Sequence, residues 1–295
     1  MRCRRSPSNL YPARTGVHRL ASHAVSEGPR TWHYGLVAKW WAEFNEGGPE
    51  IDYFRGFIEG DGQPALDVAC GTGRLLLPYL HAGLDVDGCD VSEDMIALCR
   101  ERAEREGLSP TLFVQAMHEL DPPRSYRTIV VCGGFALGSD RSQDLQALAR
   151  FYEHLEPGGT LVLDNEVPYA NAGQWQRWLR EERTDLPRAW SDDDGERRRA
   201  SDGTELALES RLLALDPLEQ RATLEIRARQ WRGGELVAEE EHTLDIGLYF
   251  TNELVLMLER VGFEVDAVHG GHEERPATAD DDFVVFVARK PMSVA

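Results

Sequence analysis

The residues most able to do chemistry are Asp67-Val68-Ala69-Cys70-Gly71-Thr72-Gly73, an acid followed by two glycines one position apart, and Asp90, a second acid one β-α-β unit further on. Gly71 and Gly73 permit backbone angles closed to other residues and let a ligand approach the chain, while free amides at the start of the following helix can face an anion. Asp67 favours positively charged neighbours, and Asp90, ending a second strand, can accept hydrogen bonds from both hydroxyls of a ribose. A dinucleotide site needs one more small residue, in the pattern G-x-G-x-x-G, so that helix and strand pack closely. Here the chain reads Gly71-Thr72-Gly73-Arg74-Leu75-Leu76, with leucine in that place, and it lacks the phosphate loop G-x-x-x-x-G-K-[ST]. The pattern suits a nucleoside bearing both a carboxylate and positive charge, and it argues against NAD.

These residues need a parallel sheet to position them, and the sequence supplies one. Strands are predicted over Ala65–Ala69, Leu84–Cys89, Thr111–Val114, Thr128–Cys132 and Thr160–Asp164, with helices over Gly73–Ala82, Glu93–Glu106 and Ser142–Leu155 between them. Alternation of this kind implies an α/β, doubly wound, mostly parallel sheet. Two short helices, in Trp32–Phe44 and Ile51–Ile58, should precede it. Period-two alternation over Glu205–Leu215, Ala222–Trp231 and Leu236–Ile246 predicts an antiparallel insertion. A helix over Asn252–Val261, ended by Gly262, then leads to strands Phe263–Val268 and Phe283–Ala288, and with no helix between them the last strand should run antiparallel, completing seven strands. The expected organisation is an arm over 1–30, the main domain over 31–169 and 248–290, and a helix plus β insertion over 170–247, acting as a lid or a dimer contact.

Composition narrows the function. The chain of 295 residues carries a net charge of −19, and its first thirty residues hold six Arg against one Glu, so the remainder is more acidic still. No dense basic stripe is available to neutralise phosphates, which argues against nucleic acid and for a small-molecule substrate. Apolar runs are strand-sized, far short of a membrane span. The cysteines, Cys3, Cys70, Cys89, Cys99 and Cys132, show no CxxC spacing, so no zinc site or disulfide framework is signalled and a reducing cytoplasm is the default. The run Ser191–Arg199 reads as an exposed loop.

Through Leu66–Arg74, Gly88–Met95 and Leu155-Glu156-Pro157-Gly158-Gly159, the chain resembles the class I S-adenosylmethionine-dependent methyltransferases. The strand insertion before Leu248-Tyr249-Phe250-Thr251 is similar to the branch containing glycine and sarcosine N-methyltransferases and amino-sugar N,N-dimethyltransferases. The resemblance implies that Gly71 and Gly73 meet the methionine moiety with Asp67 and Ala69 beside them, that Asp90 holds the ribose, and that Val91 and Met95 pack on adenine. Where many relatives carry Gly-Asp-Met after the third strand, this chain has Gln115-Ala116-Met117, so adenine must be read by backbone groups, Gln115 or His118. Cys132-Gly133-Gly134-Phe135 falls where the family lines its methyl-transfer channel.

Acceptor-side candidates follow the fifth strand and the insertion. Asn165, Glu166 and Tyr169 should face the crevice beyond the strand ends, Glu166 either orienting an amine or lying solvated. His242 is in phase with Leu244 and Ile246, either an ionisable group at the site or a satisfied core histidine, and Tyr249 lies where the chain re-enters the sheet. Tyr34, Trp40 and Trp41, on the leading helices, are set either to cover the cofactor or to pack in the core. The expected activity is methyl transfer to a small metabolite, an amine preferred over a hydroxyl. The rivals are a regulatory protein that binds the same cofactor without turnover and a nicotinamide oxidoreductase.

Overall fold

The computed structural model describes residues 31–191 and 195–292. The arm over 1–30, with Cys3, and Asp192–Asp194 of the charged run lie outside them. In chain order the elements are α1 (Gly35–Phe44), α2 (Glu50–Asp61), β1 (Ala65–Val68), α3 (Leu76–His81), β2 (Val86–Asp90), α4 (Glu93–Arg105), β3 (Leu112–Val114), β4 (Tyr126–Val131), α5 (Arg141–His154) and β5 (Leu155–Glu166). There follow α6 (Ala172–Gln176), β6 (Arg198–Arg199), β7 (Glu205–Asp216), β8 (Arg221–Arg232), β9 (Glu235–Gly247), α7 (Thr251–Val261), β10 (Glu264–Gly270) and β11 (Phe283–Arg289).

Seven strands form one sheet in the order β10-β11-β5-β4-β1-β2-β3. It is parallel except for β11, which runs antiparallel to both β5 and β10, as the missing crossover helix requires. The central strands β1 and β2 are buried along their whole length, as strands covered on both faces must be. One apolar layer joins α5 and α7 through Leu148, Phe151, Leu254 and Leu258, and the other joins α2, α3 and α4 through Phe54, Ile58, Leu76 and Ile96. The doubly wound, mostly parallel sheet and the antiparallel insertion are those the sequence predicts.

Three stretches differ from the sequence expectation. The helix after β1 begins at Leu76, not Gly73, because Gly71 (φ 55°) and Gly73 (φ 86°) take left-handed backbone angles that a right-handed helix excludes. Strand β5 begins at Leu155, because Leu155 already pairs with Tyr126, and a register shift past Tyr126 absorbs Glu156-Pro157-Gly158-Gly159 before regular pairing resumes at Thr160. The charged run is not all loop, since Arg198–Arg199 pairs with β7 and Arg198 stacks over Phe44 at 4.1 Å.

The insertion is a separate antiparallel sheet, β6-β7-β8-β9. It packs on α1, where Leu36 and Val37 meet Leu206, Ile226 and Ala228. The N-terminus of α1 is capped from two directions: Gly35 N donates to Asp94 on α4 at 2.7 Å, and Leu36 N donates to Glu240 on β9 at 2.9 Å. The insertion is also tied to the loop after β4, where Gly247 N donates to Ala136 O at 2.9 Å and Gly138 N to Asp245 O at 2.7 Å.

Where α7 begins, the buried Tyr249 hydroxyl donates to Asp144 Oδ2 at 2.5 Å, and Ser139 bonds the same carboxylate. Tyr249→Phe removes one donor from a buried carboxylate and should lower stability by about 1–3 kcal/mol. Chemical denaturation checks this, and an unchanged midpoint would show that the carboxylate does not depend on Tyr249.

Candidate functional site

A cavity of about 330 Å³ opens at the carboxyl ends of β1, β2 and β4. Its floor is the turn after β1, in which Gly71 at φ 55° has open space where a side chain would stand. Asp90 shapes that turn, Oδ2 accepting from Gly71 N at 3.0 Å and Oδ1 from Ser92 N at 2.8 Å. Ser92 in turn caps α4, accepting from Met95 N at 3.1 Å, and its hydroxyl donates to His33 O at 2.5 Å. One carboxylate thus fixes the turn, the start of α4 and, through Ser92, the segment leading into α1.

Asp67 is 2% exposed and Asp90 9% exposed. Burial, with the charge of Asp90 adding to it, pushes the Asp67 carboxyl up to about 8, against the bond it accepts from Leu76 N. Its Oδ2 makes no hydrogen bond among the described residues. Burial also raises Asp90, with the amides of Ser92, Gly71 and Val91 opposing that rise. A buried carboxylate oxygen with no donor, on the wall of a cavity, is a seat for a cation.

Of the residues singled out from sequence, Asp67, Ala69, Gly71, Asp90, Val91, Met95, Ala116, Met117 and Cys132 line the cavity, as do Gln115, His118 and Trp41. Gly73 does not. A side chain there would meet Cys99 Sγ at 2.8 Å and Leu77 Cγ at 2.9 Å, so Gly73 serves the packing of α3 and α4 behind the turn. Tyr34 and Trp40 also stay off the cavity wall. Tyr34 precedes α1, its phenol pushed up to about 12 by burial and by Asp90, Asp94 and Glu93, while Trp40 packs on Trp41 and Phe44.

His33 takes the wall position beside Tyr34. Burial lowers its imidazole to about 4, so it is neutral at pH 7. The Trp32 indole N–H points at Nε2, 3.2 Å away, which assigns the proton to Nδ1, donating to Thr31 Oγ1 at 2.6 Å.

The four acceptor-side candidates stand apart from this cavity. Glu166, at the exposed end of β5, accepts from the Gln174 side-chain amide. Tyr169 stacks on Phe250 at 6.1 Å and, with Trp175, lines a second, shallower cleft. His242 pairs with Glu240 at 3.2 Å, the same carboxylate that caps α1. Tyr249 lies in the core and reaches the cavity only through Asp144. Asn165 donates to Tyr249 O at 3.0 Å.

Sequence reasoning missed Asp144 and the Leu137–Ser139 loop, all on the cavity wall. Asp144 carried a signal, an acid on the apolar stripe Ala147, Leu148, Phe151 of α5. Burial raises its carboxyl, while Ser139 and Tyr249 hold it down.

The geometry fits S-adenosylmethionine. The Asp67 oxygen offers an acceptor to the methionine ammonium, the open side of Gly71 leaves room against the backbone, and Asp90 faces the cavity where ribose hydroxyls would bond. Ala116 offers no carboxylate for adenine, but Gln115 and His118 stand on the same wall.

Comparisons with known proteins point the same way. Residues 65–159 match the family model of a methyltransferase domain. Among curated relatives, the dTDP-3-amino-3,4,6-trideoxy-alpha-D-glucopyranose N,N-dimethyltransferase of Streptomyces venezuelae is 34% identical over 100 residues, 34% of this chain and 40% of that protein. The matches span between 40% and 53% of the length of the curated relatives. Among solved structures, a methyltransferase of Streptomyces caelestis has TM-score 0.64 at 22% identity, covering 88% of this chain and 100% of its own. A sugar N-methyltransferase of Streptoalloteichus has TM-score 0.62 at 20% identity, covering 93% and 100%. At such identities the structural likeness establishes the fold, while the matched segment holds the glycine turn, Asp90 and the third and fourth strands. Residues 65–159 therefore carry a methyltransferase domain, set in a fold shared with solved methyltransferases.

Proposed function

We propose that this protein transfers a methyl group from S-adenosylmethionine to an amine on a small molecule, with an amino sugar as the acceptor class. The observation that carries the reading is the unpaired, buried Asp67 oxygen beside the open Gly71 turn and Asp90. The bound cofactor supplies a methyl carbon already activated toward attack. The chain's part is to hold that carbon in line with a nucleophile and to keep water away, which is where most of the rate of such a displacement arises. Asp90 holds the ribose, Asp67 the ammonium, and the neutral His33 and Trp41 close the cavity from the α1 side.

The acceptor class is supported by the name of the Streptomyces venezuelae relative and by the second cleft. Tyr169, Trp175 and Phe250 present aromatic faces there, and such faces suit the apolar side of a sugar ring. Glu166 ends β5 three residues before Tyr169 of this cleft, and we assign it the task of orienting the acceptor amine. The net charge of −19 and the lack of any described helix long and apolar enough to cross a membrane favour a small-molecule acceptor and a cytoplasmic location over nucleic acid or a lipid surface. The insertion is the natural face for a homodimer or for a lid.

Three outcomes test the reading. Below about pH 8 the raised Asp67 carboxyl is largely neutral in the cofactor-free protein, so a cation that needs its charge must release a proton on binding. Affinity for S-adenosylmethionine should thus climb with pH, by up to about tenfold per unit, and level off above that value. The cofactor's own amino group titrates nearby, so the readout is the difference in calorimetric affinity between wild type and Asp67→Asn, and parallel pH profiles would remove this role. Asp90→Ala should weaken binding about 10- to 100-fold, from the loss of charged hydrogen bonds. Glu166→Gln should spare cofactor binding yet slow formation of S-adenosylhomocysteine with an amino-sugar nucleotide. Wild-type protein that binds cofactor and methylates no amine in such a panel would defeat the proposed activity.

A further inference from the structure

Three side chains remote in sequence converge at the carboxyl edge of the sheet. Cys132 follows β4, Asp164 lies near the end of β5, and His272 sits in the turn after β10. One ligand atom from each lies within 4.8 Å of the other two, and no other such trio of metal-ligating side chains occurs among the described residues.

Hydrogen bonding accounts for one pair of the trio, Cys132 with Asp164, and leaves the imidazole out. His272 Nε2 stands 3.6 Å from Asp164 Oδ2, too far for a good hydrogen bond, with each side chain only 11% exposed. That nitrogen is buried and makes no hydrogen bond among the described residues. A buried polar atom left unpaired is costly, so its retention asks for a partner. The imidazole is wedged among Phe283 (4.6 Å), Phe54 (5.6 Å) and Tyr53 (5.6 Å), which fixes its direction. The other oxygen of Asp164 accepts from Gly133 N at 2.6 Å, the outer hydrogen bond that orients a ligating carboxylate. Arg74 donates to Cys132 Sγ at 3.7 Å with Glu50 pairing its charge, but burial and the Asp164 carboxylate outweigh its pull and push the thiol well up.

We propose that Cys132, Asp164 and His272 bind a divalent transition-metal ion of the zinc class. One thiolate, one imidazole and one carboxylate form a mixed donor set that suits zinc or cobalt and would hold magnesium poorly. Three protein ligands would leave a fourth position for water or another donor, and Cys132, alone of the three, lines the cavity. Binding exchanges the Cys132 thiol proton for the metal, forming the sulfur–metal bond and releasing H⁺ to solvent. The site does not depend on the acceptor assigned above.

The full-length, reduced protein titrated with Co²⁺ alone tests it. One equivalent should bring up a thiolate-to-cobalt charge-transfer band in the near ultraviolet, reversed by Zn²⁺. Cys132→Ser should abolish the band, and His272→Asn should weaken cobalt binding by at least about 10- to 100-fold, a loss that even an outer-shell change can bring. Zn²⁺ should also slow alkylation of Cys132 in the unaltered protein, a readout that needs no variant to fold. No saturable band, the same band in Cys132→Ser, or unslowed alkylation would overturn the proposal. Calorimetry with S-adenosylmethionine on the same sample reports the cofactor reading separately, so failure of either is recognised on its own.

Discussion

Two carboxylates buried side by side at the ends of β1 and β2 set the main constraint on this molecule. Placing Asp67 and Asp90 in a low-dielectric interior, where burial raises both and the charge of Asp90 adds to the cost of charging Asp67, is unfavourable unless donors or cations surround them. Asp90 meets the requirement internally, with the amides of Gly71 and Ser92. Asp67 meets it only in part, since its Oδ2 has no donor among the described residues, and that is the demand a positively charged ligand would meet. The left-handed glycine turn, the late start of α3 and the cap of α4 all follow from keeping the two acids in place.

The surrounding elements converge on the same point. α1 roofs the cavity with Trp41, yet its own N-terminus is held by Asp94 of α4 and Glu240 of β9. His242 supports Glu240, which gives it a place in the structure away from the cavity. The insertion is thereby connected both to the roof and, through Gly138 and Gly247, to the loop whose residues Leu137–Ser139 form another wall. A ligand that changes the position of α1 must act against contacts from α4 and from the insertion sheet.

The parallel sheet, the antiparallel last strand, the insertion and the Asp67–Asp90 pair were legible in the sequence because each leaves a local mark: alternation, a missing helix, a glycine turn, an acid at a strand end. What escaped was convergence. Tyr34 and His33 are adjacent in an extended segment that has no periodicity, so nothing in the sequence decides which one faces the cavity. Gly73 shares a motif with Gly71 but turns its open side toward Cys99 and Leu77. Asp144 was marked by its phase on α5, whereas its bond to Tyr249 joins that helix to the loop before α7, 105 residues away, and has no sequence signature. Cys132, Asp164 and His272 come from three separate strand ends, and a search for short metal-ligand spacings passes over them because only the sheet order brings them together.

The account stands on the placement of one ligand against two acids. A crystal structure with bound S-adenosylhomocysteine tests that directly. It should show the ribose hydroxyls on Asp90, the amino group within hydrogen-bond reach of Asp67 and the sulfur turned toward Cys132 and Gly133. A ligand seated elsewhere, or one whose ribose leaves Asp90 bonded only to Gly71 and Ser92, would contradict it.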